Sequence, residues 1–318
     1  MIQRDHGQPG PASSGAFSHH ALFYSGLNDL VEQAVPYLRE GIQQDERILV
    51  LAPPNRLEAL RDGLGGDSRQ VQFQDMTKAG RNPSAIISTW RDFISSGEGP
   101  VRGIGEPAWF GRSPEELLEC HRHEALINLA FADDQGTILC PYDASALPAA
   151  ELEKARTTHP TVLEQGIPAP IRSFEGAGAA LRILDAPLSP VPADALRFEF
   201  GADGLSEVRA AALRFGMDCG LKPMQVDCFV LAASELLTNS LKHGGGRGQL
   251  LLWRADGSVV GQVDDPGFIA DPLIGRQRAE LNGGGGLGLW MVNQLVDLMQ
   301  LRTGTAGTSV RFSLRVAR

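Results

Sequence analysis

Short apolar runs alternate with amphipathic segments over the first half of the chain. Ala21–Tyr24, Ile48–Ala52, Val71–Phe73, Val101–Ile104 and Thr137–Cys140 read as strands, and the stretches between them carry helical spacing. That alternation predicts an α/β domain with a mostly parallel sheet and covering helices. One helix start is sharply marked. Ser113 can cap, Pro114 suits the first helical position and Glu116 completes a capping box, so a helix is expected to run to about Phe131. Past Gly166 the pattern breaks. Pro168, Pro170, Pro187, Pro190 and Pro192 with Gly176 and Gly178 predict a linker. Beyond it come a strand at Arg197–Phe200, a helix from Leu205 to about Cys219 and a second helix over Pro223–His243. Strands at Gln249–Arg254 and Val259–Val263, a glycine-rich loop, a helix near Leu287–Met299 and two closing strands complete an α+β layered sandwich. The expected organisation is a disordered tail over 1–16, a first domain over 17–167, a linker over 168–195 and a second domain over 196–318.

Composition supports two cores. The chain has 318 residues, 42% of them hydrophobic and 21% charged, too many for one ordinary core. A net charge of −9 with no basic run argues against direct nucleic-acid binding. Cys120, Cys140, Cys219 and Cys228 fall singly, which predicts neither a disulfide framework nor a zinc knuckle and fits a reducing cytoplasm. No stretch approaches the roughly 20 apolar residues that a membrane helix needs, so no membrane association is expected.

Candidate chemistry concentrates in the second domain. On the helix Pro223–His243, Val226, Val230, Ala233, Leu237 and Leu241 share a face, and Glu235, Asn239 and His243 form a polar line on another. Such a line alone also describes a solvated helix face. A strand then runs into Asp265-Pro266-Gly267, which places a carboxylate at a strand end. The loop Gly283-Gly284-Gly285-Gly286-Leu287-Gly288-Leu289 passes into a helix, where bare amides and the positive helix end suit phosphate oxygens. Gly307-Thr308 opens the last strand.

Taken together, these elements resemble the GHKL, or Bergerat-fold, ATPases. Glu235–His243 is similar to their N box, Asp265-Pro266-Gly267 to their first glycine box and Gly284–Leu289 to their second. The resemblance implies a two-layer ATP-binding fold with ATP and Mg²⁺ as cofactors. It implies Asn239 as the magnesium ligand, Asp265 as acceptor for the adenine amino group, and Gly284, Gly286 and Gly288 as leaving room for the triphosphate, with Gly267 and Leu287 also in the nucleotide-binding set. Thr308 would close the adenine end, and Glu235 would be the general base. His243 stands in the nucleotide-binding set, although a histidine at a helix end is commonly held there by the helix dipole alone.

Within that superfamily, a sensor histidine kinase needs a phosphoacceptor histidine on a helical hairpin, and the proline-rich stretch before Leu196 supplies none. Cys120-His121-Arg122-His123-Glu124 lacks the Leu-Arg-x-Pro continuation of such a box. It reads instead as a surface face, because adjacent Cys120 and His121 point apart on a helix and make a poor metal pair. The ending Val296–Gly304 is similar to compact anti-sigma-factor serine kinases. The first domain resembles the MEDS sensory domain of RsbA-type regulators, on Arg102–Trp109, the helix with Glu124 and Asn128, Cys140-Pro141-Tyr142-Asp143 and His159-Pro160. A RecA-like core is expected there without a phosphate-binding loop, since Pro53-Pro54-Asn55-Arg56 follows the second strand. Glu106, Trp109, Tyr142 and Asp143 fall at or just after strand ends, where open α/β sheets place ligands, and form the candidate sensory site. The implied function is a signal-responsive, cytoplasmic regulator of transcription that phosphorylates serine on an anti-anti-sigma partner and thereby controls a sigma factor. A homodimer is compatible with it. The alternatives are a non-catalytic, ATP-dependent sequestering module and a histidine-kinase-like phosphotransfer protein.

Overall fold

The computed structural model describes residues 17–176, 178, 182, 184–278 and 286–316; the expected tail 1–16 and Gly284 lie outside them. The chain folds into two domains. In the first, β1 (Ser18–Tyr24), β2 (Arg47–Ala52), β3 (Val71–Asp75), β4 (Val101–Gly105), β5 (Gly136–Asp143) and β6 (Thr161–Glu164) run parallel in the order β3-β2-β4-β5-β1-β6. Ile48–Ala52 of β2 is buried throughout, as expected of a parallel strand covered on both faces. One cover consists of α1 (Gly26–Gln43) and α2 (Pro54–Leu64). The other consists of α3 (Met76–Ala79), α4 (Ile86–Ser95), α5 (Pro114–Ala130) and α6 (Ala149–Thr158).

Two expectations need correction here. Residues 167–170, placed at the junction with the linker, form β7 (Ile167–Pro170), which pairs antiparallel with β6 and ends the sheet. Proline is tolerated there because an edge strand needs donors on one side only. The second correction concerns α5. Its capping box is present, with Ser113 Oγ accepting from Glu116 N at 3.2 Å and Glu116 Oε2 accepting from Ser113 N at 2.8 Å. The segment read as a surface face is not one, because Cys120, Arg122, His123 and Glu124 are each at most 2% exposed. With the parallel sheet on one side and the second domain on the other, most of α5 is covered, and the buried Glu116, Glu119 and Glu124 each meet a cationic or imidazole partner.

In the second domain β8 (Leu196–Phe200), β9 (Gly248–Ala255), β10 (Ser258–Asp265), β11 (Leu298–Gly304) and β12 (Gly307–Arg315) form an antiparallel sheet in the order β11-β12-β10-β9-β8. Helices α7 (Leu205–Asp218), α8 (Pro223–His243) and α9 (Leu287–Leu295) cover one face and bury Phe229, Leu236, Leu237, Val292 and Phe312 between the layers. The last helix is shorter than expected. Val296 takes extended backbone angles, and Asp297 Oδ2 accepts from Arg315 N at 2.7 Å, so Leu298 and Met299 enter β11 instead. Among the described residues no helix is long and apolar enough to cross a membrane.

The domains touch through polar, largely buried contacts. Asn82 donates from Nδ2 to the backbone and side-chain oxygens of Asn293 in α9, both at 2.9 Å, and accepts at Oδ1 from Met299 N at 3.2 Å. Asn293 in turn donates to Gly275 O at 2.9 Å. Glu119 of α5 is fully buried and pairs with Arg276, while its second oxygen faces Arg122 at 3.2 Å. Burial opposes its charge, but the two guanidinium groups hold the carboxyl below its usual range. Arg315 reaches Glu116 at 2.5 Å and Trp290 Nε1 donates to Ser88 Oγ at 3.0 Å.

Candidate functional site

The polar line of α8 faces a cavity of about 440 Å³ between that helix, the end of β10 and the start of α9. Glu235, Asn239, His243, Asp265, Gly267, Gly286, Leu287, Gly288 and Thr308 all line it; Gly284 lies outside the described residues. The apolar part of the wall comes from Leu236, Val263, Ile269, Ile274 and Val310. A mostly apolar concavity with a few convergent polar groups is the usual form of a small-molecule site.

Local sequence explains the placement. Asp265 is the last residue of β10 and pairs with Thr308 of β12, so the ladder sets both at one end of the sheet. Asp265 Oδ1 accepts from Gly267 N at 2.8 Å, and Oδ2 accepts from Ser240 Oγ at 2.5 Å. Thr308 Oγ1 donates to Gly267 O at 2.9 Å, which ties the strand end to the turn. Ser240, which lines the cavity and donates to Asp265, was given no role by the motif reading. Its only signal was a hydroxyl beside Asn239 on the turn of α8 that meets the sheet.

Two glycines allow α9 to start against α8. Gly286 caps the helix at φ +97°, a conformation that favours glycine. A Cβ on Gly288 would stand 2.8 Å from Glu235 Oε2 and 3.3 Å from Asn239 Nδ2, too close for any other residue without displacement. The first turn of α9 therefore opens on the cavity, where its free amides and positive dipole end favour an anion. Asn239 offers an amide oxygen and Glu235 a carboxylate one helical turn earlier, beside that anion position. His243 is exposed at the cavity rim.

The four candidate sensory residues do not share one pocket. Glu106 follows β4 and is fully buried, with Oε1 accepting from Tyr24 Oη at 2.9 Å and facing Arg56 Nε at 3.3 Å. Burial pushes its carboxyl up to about 7 against the opposing pull of Arg56 and Tyr24. Asp143 joins the same cluster through Arg56 at 3.4 Å. Trp109 instead stacks under Arg112 at 3.6 Å, and Tyr142 points into the core with its ring edge-on to His159 at 5.7 Å.

Comparison with known proteins matches both halves. Residues 18–160 match the MEDS family, described as the methanogen/methylotroph, DcmR sensory domain. Residues 198–314 match the histidine kinase-like ATPase domain family. No curated protein matches the sequence. Among solved structures, the RsbU and RsbW domains of Rv1364c from Mycobacterium tuberculosis align at 22% identity with a TM-score of 0.31. That alignment covers 41% of this chain and 34% of the other.

Proposed function

We propose that this chain, a MEDS domain followed by a histidine kinase-like ATPase domain, is a regulatory protein that binds Mg-ATP in its C-terminal cavity and phosphorylates a serine on a partner protein. The observation that carries this reading is the convergence of Glu235, Asn239, Asp265 and Gly288 on one cavity. Asp265, with one oxygen held by Gly267 N and the other by Ser240, would accept from an exocyclic amine. The amides at the start of α9 would meet phosphate oxygens. The oxygen of Asn239 suits a hard cation and would hold magnesium, whose chemistry there is to neutralise phosphate charge. Glu235 would take the proton of an incoming hydroxyl.

The partner class is an anti-anti-sigma protein, with a sigma factor competing for the same domain. Regulation would enter through the domain contacts. Asn82 and Glu119 hold Asn293 of α9 and Arg276, so a shift in the first domain would be passed to the helix whose first turn opens on the cavity.

Incubating the full chain with terminally labelled ATP and a cognate partner pair should yield phosphoserine on the anti-anti-sigma protein and ATP-dependent exchange of the sigma factor. Glu235→Ala should lower transfer by ~10²–10⁴-fold and leave nucleotide binding intact. Acid-labile phosphohistidine on this chain, with no transfer to the partner, would overturn the reading.

A further inference from the structure

A second set of chemistry-bearing side chains meets inside the first domain, away from the cavity. His19 in β1 and Cys140 in β5 lie on neighbouring parallel strands, on the face covered by α5 and α6. Glu124 projects from α5, and His159 follows the last turn of α6. All four are buried, and one ligand-type atom from each lies within 4.8 Å of the others. His19 Nε2 stands 3.1 Å from Glu124 Oε2 and 3.3 Å from Cys140 Sγ, and His159 Nε2 stands 3.4 Å from Glu124 Oε2. A tetrahedron built on typical zinc bond lengths has edges of about 3.3–3.6 Å.

The surrounding hydrogen bonds decide where the ring protons are. Asn128 Nδ2 donates to the backbone oxygens of Thr158 at 2.8 Å and Glu124 at 3.1 Å, so its Oδ1 is the acceptor that meets His19 Nδ1 at 3.2 Å. His159 Nδ1 donates to Ala155 O at 2.8 Å. Each neutral ring therefore carries its proton on Nδ1 and turns an Nε2 lone pair inward. The cluster then sets two nitrogen lone pairs, a carboxylate and a sulfur against one another, with a single thiol proton among them. Among the described residues Glu124 Oε1 and His159 Nε2 have no hydrogen-bond partner, a costly state for buried polar atoms. One added proton could serve only one of these contacts.

We infer that His19, Glu124, Cys140 and His159 bind a divalent transition-metal ion of the zinc class in a closed, four-ligand site. Two neutral imidazoles, one thiolate and one carboxylate with a dication sum to zero charge, which suits a site shut off from water. Thiolate and imidazole ligands disfavour magnesium and calcium, and four protein ligands leave no open position for catalysis. Binding releases the Cys140 thiol proton to solvent. Asn128 and the Ala155 carbonyl are the outer partners that orient the two rings. Because Glu124 shares α5 with Glu116 and Glu119, the ion would brace the helix that pairs with Arg315 and Arg276 of the second domain.

The test uses the full-length protein. Purified without chelator, it should carry zinc or a related ion at one per chain by elemental analysis. After chelation, cobalt(II) should restore tetrahedral d–d bands together with a thiolate-to-cobalt charge-transfer band. Cys140→Ser should lose that charge-transfer band, and Asn128→Ala should weaken cobalt affinity by ~10–100-fold. Should the Cys140 variant fail to fold, the wild-type spectrum decides alone. A folded, chelated wild-type protein that takes up neither zinc nor cobalt, or a charge-transfer band that survives Cys140→Ser, would overturn the inference.

Discussion

The cavity of the second domain and the polar clusters of the first use similar side chains in opposite ways. Glu235 and Asn239 stand half-buried around an open volume of about 440 Å³, beside a helix start with free amides. Glu106, Glu119 and Glu124 are at most 1% exposed, and each is packed against arginine, tyrosine or histidine. An open site can exchange a ligand with solvent. A closed cluster fixes the distances between elements, and disturbing it moves those elements together. On the proposed reading, turnover belongs to the second domain and shape to the first, with α5 between them.

The largest effect should come from breaking the open site. Asn239→Ala removes the proposed magnesium ligand from an otherwise intact helix face, and magnesium-dependent nucleotide binding should fall below detection by calorimetry. Retained magnesium dependence would take Asn239 out of that role. The next effect sits at the join. Glu119→Gln keeps the size of the side chain but removes the charge that Arg276 and Arg122 face, and nucleotide affinity should shift by ~5–150-fold, the usual range of coupling between sites. Unchanged affinity in a folded variant would separate the domains functionally.

A third effect is on stability rather than on binding, and it is confined to the closed cluster of Glu106, Arg56, Tyr24 and Asp143. Below about pH 4.5 Glu106 is protonated in both the folded and unfolded chain and contributes nothing. Between about pH 4.5 and the folded value of about 7 the unfolded chain ionises while the folded one does not, so stability falls as pH rises. The accumulated cost is about 3 kcal/mol above pH 7. Glu106→Gln should flatten thermal stability between pH 5 and pH 8. A variant that keeps the wild-type slope would assign it to other groups.

The two regions also differed in how far they could be read from the chain. In the second domain Glu235, Asn239 and His243 sit on one helix at helical spacing, and Asp265 and Gly267 share a turn, so short consecutive runs carried the site. Ser240 escaped because a serine beside Asn239 has no distinguishing pattern until β10 is seen against α8. In the first domain the alternation of apolar runs was enough for most of the parallel sheet, but β6 is only four residues long and β7 was missed because Pro168 and Pro170 look like linker until the edge is in place. The ring of His19, Glu124, Cys140 and His159 draws on four elements separated by up to 140 positions, and no spacing rule reaches that far. The burial of α5 was equally hidden. Its mixed charges read as a wet face, and only the packing of the second domain against it shows that those charges answer Arg276 and Arg315.

The central claim is that the open cavity is an adenine nucleotide site with Asp265 reading the base. Titrating the full chain with non-hydrolysable ATP and GTP analogues in magnesium, alongside Asp265→Ala, tests it most directly. Guanine presents a carbonyl where adenine presents an amine, which leaves a carboxylate facing an acceptor, so the wild type should prefer ATP by ~10²-fold or more and the variant should lose that preference. Equal affinity of the wild type for the two nucleotides, or an undiminished preference in Asp265→Ala, would contradict the account.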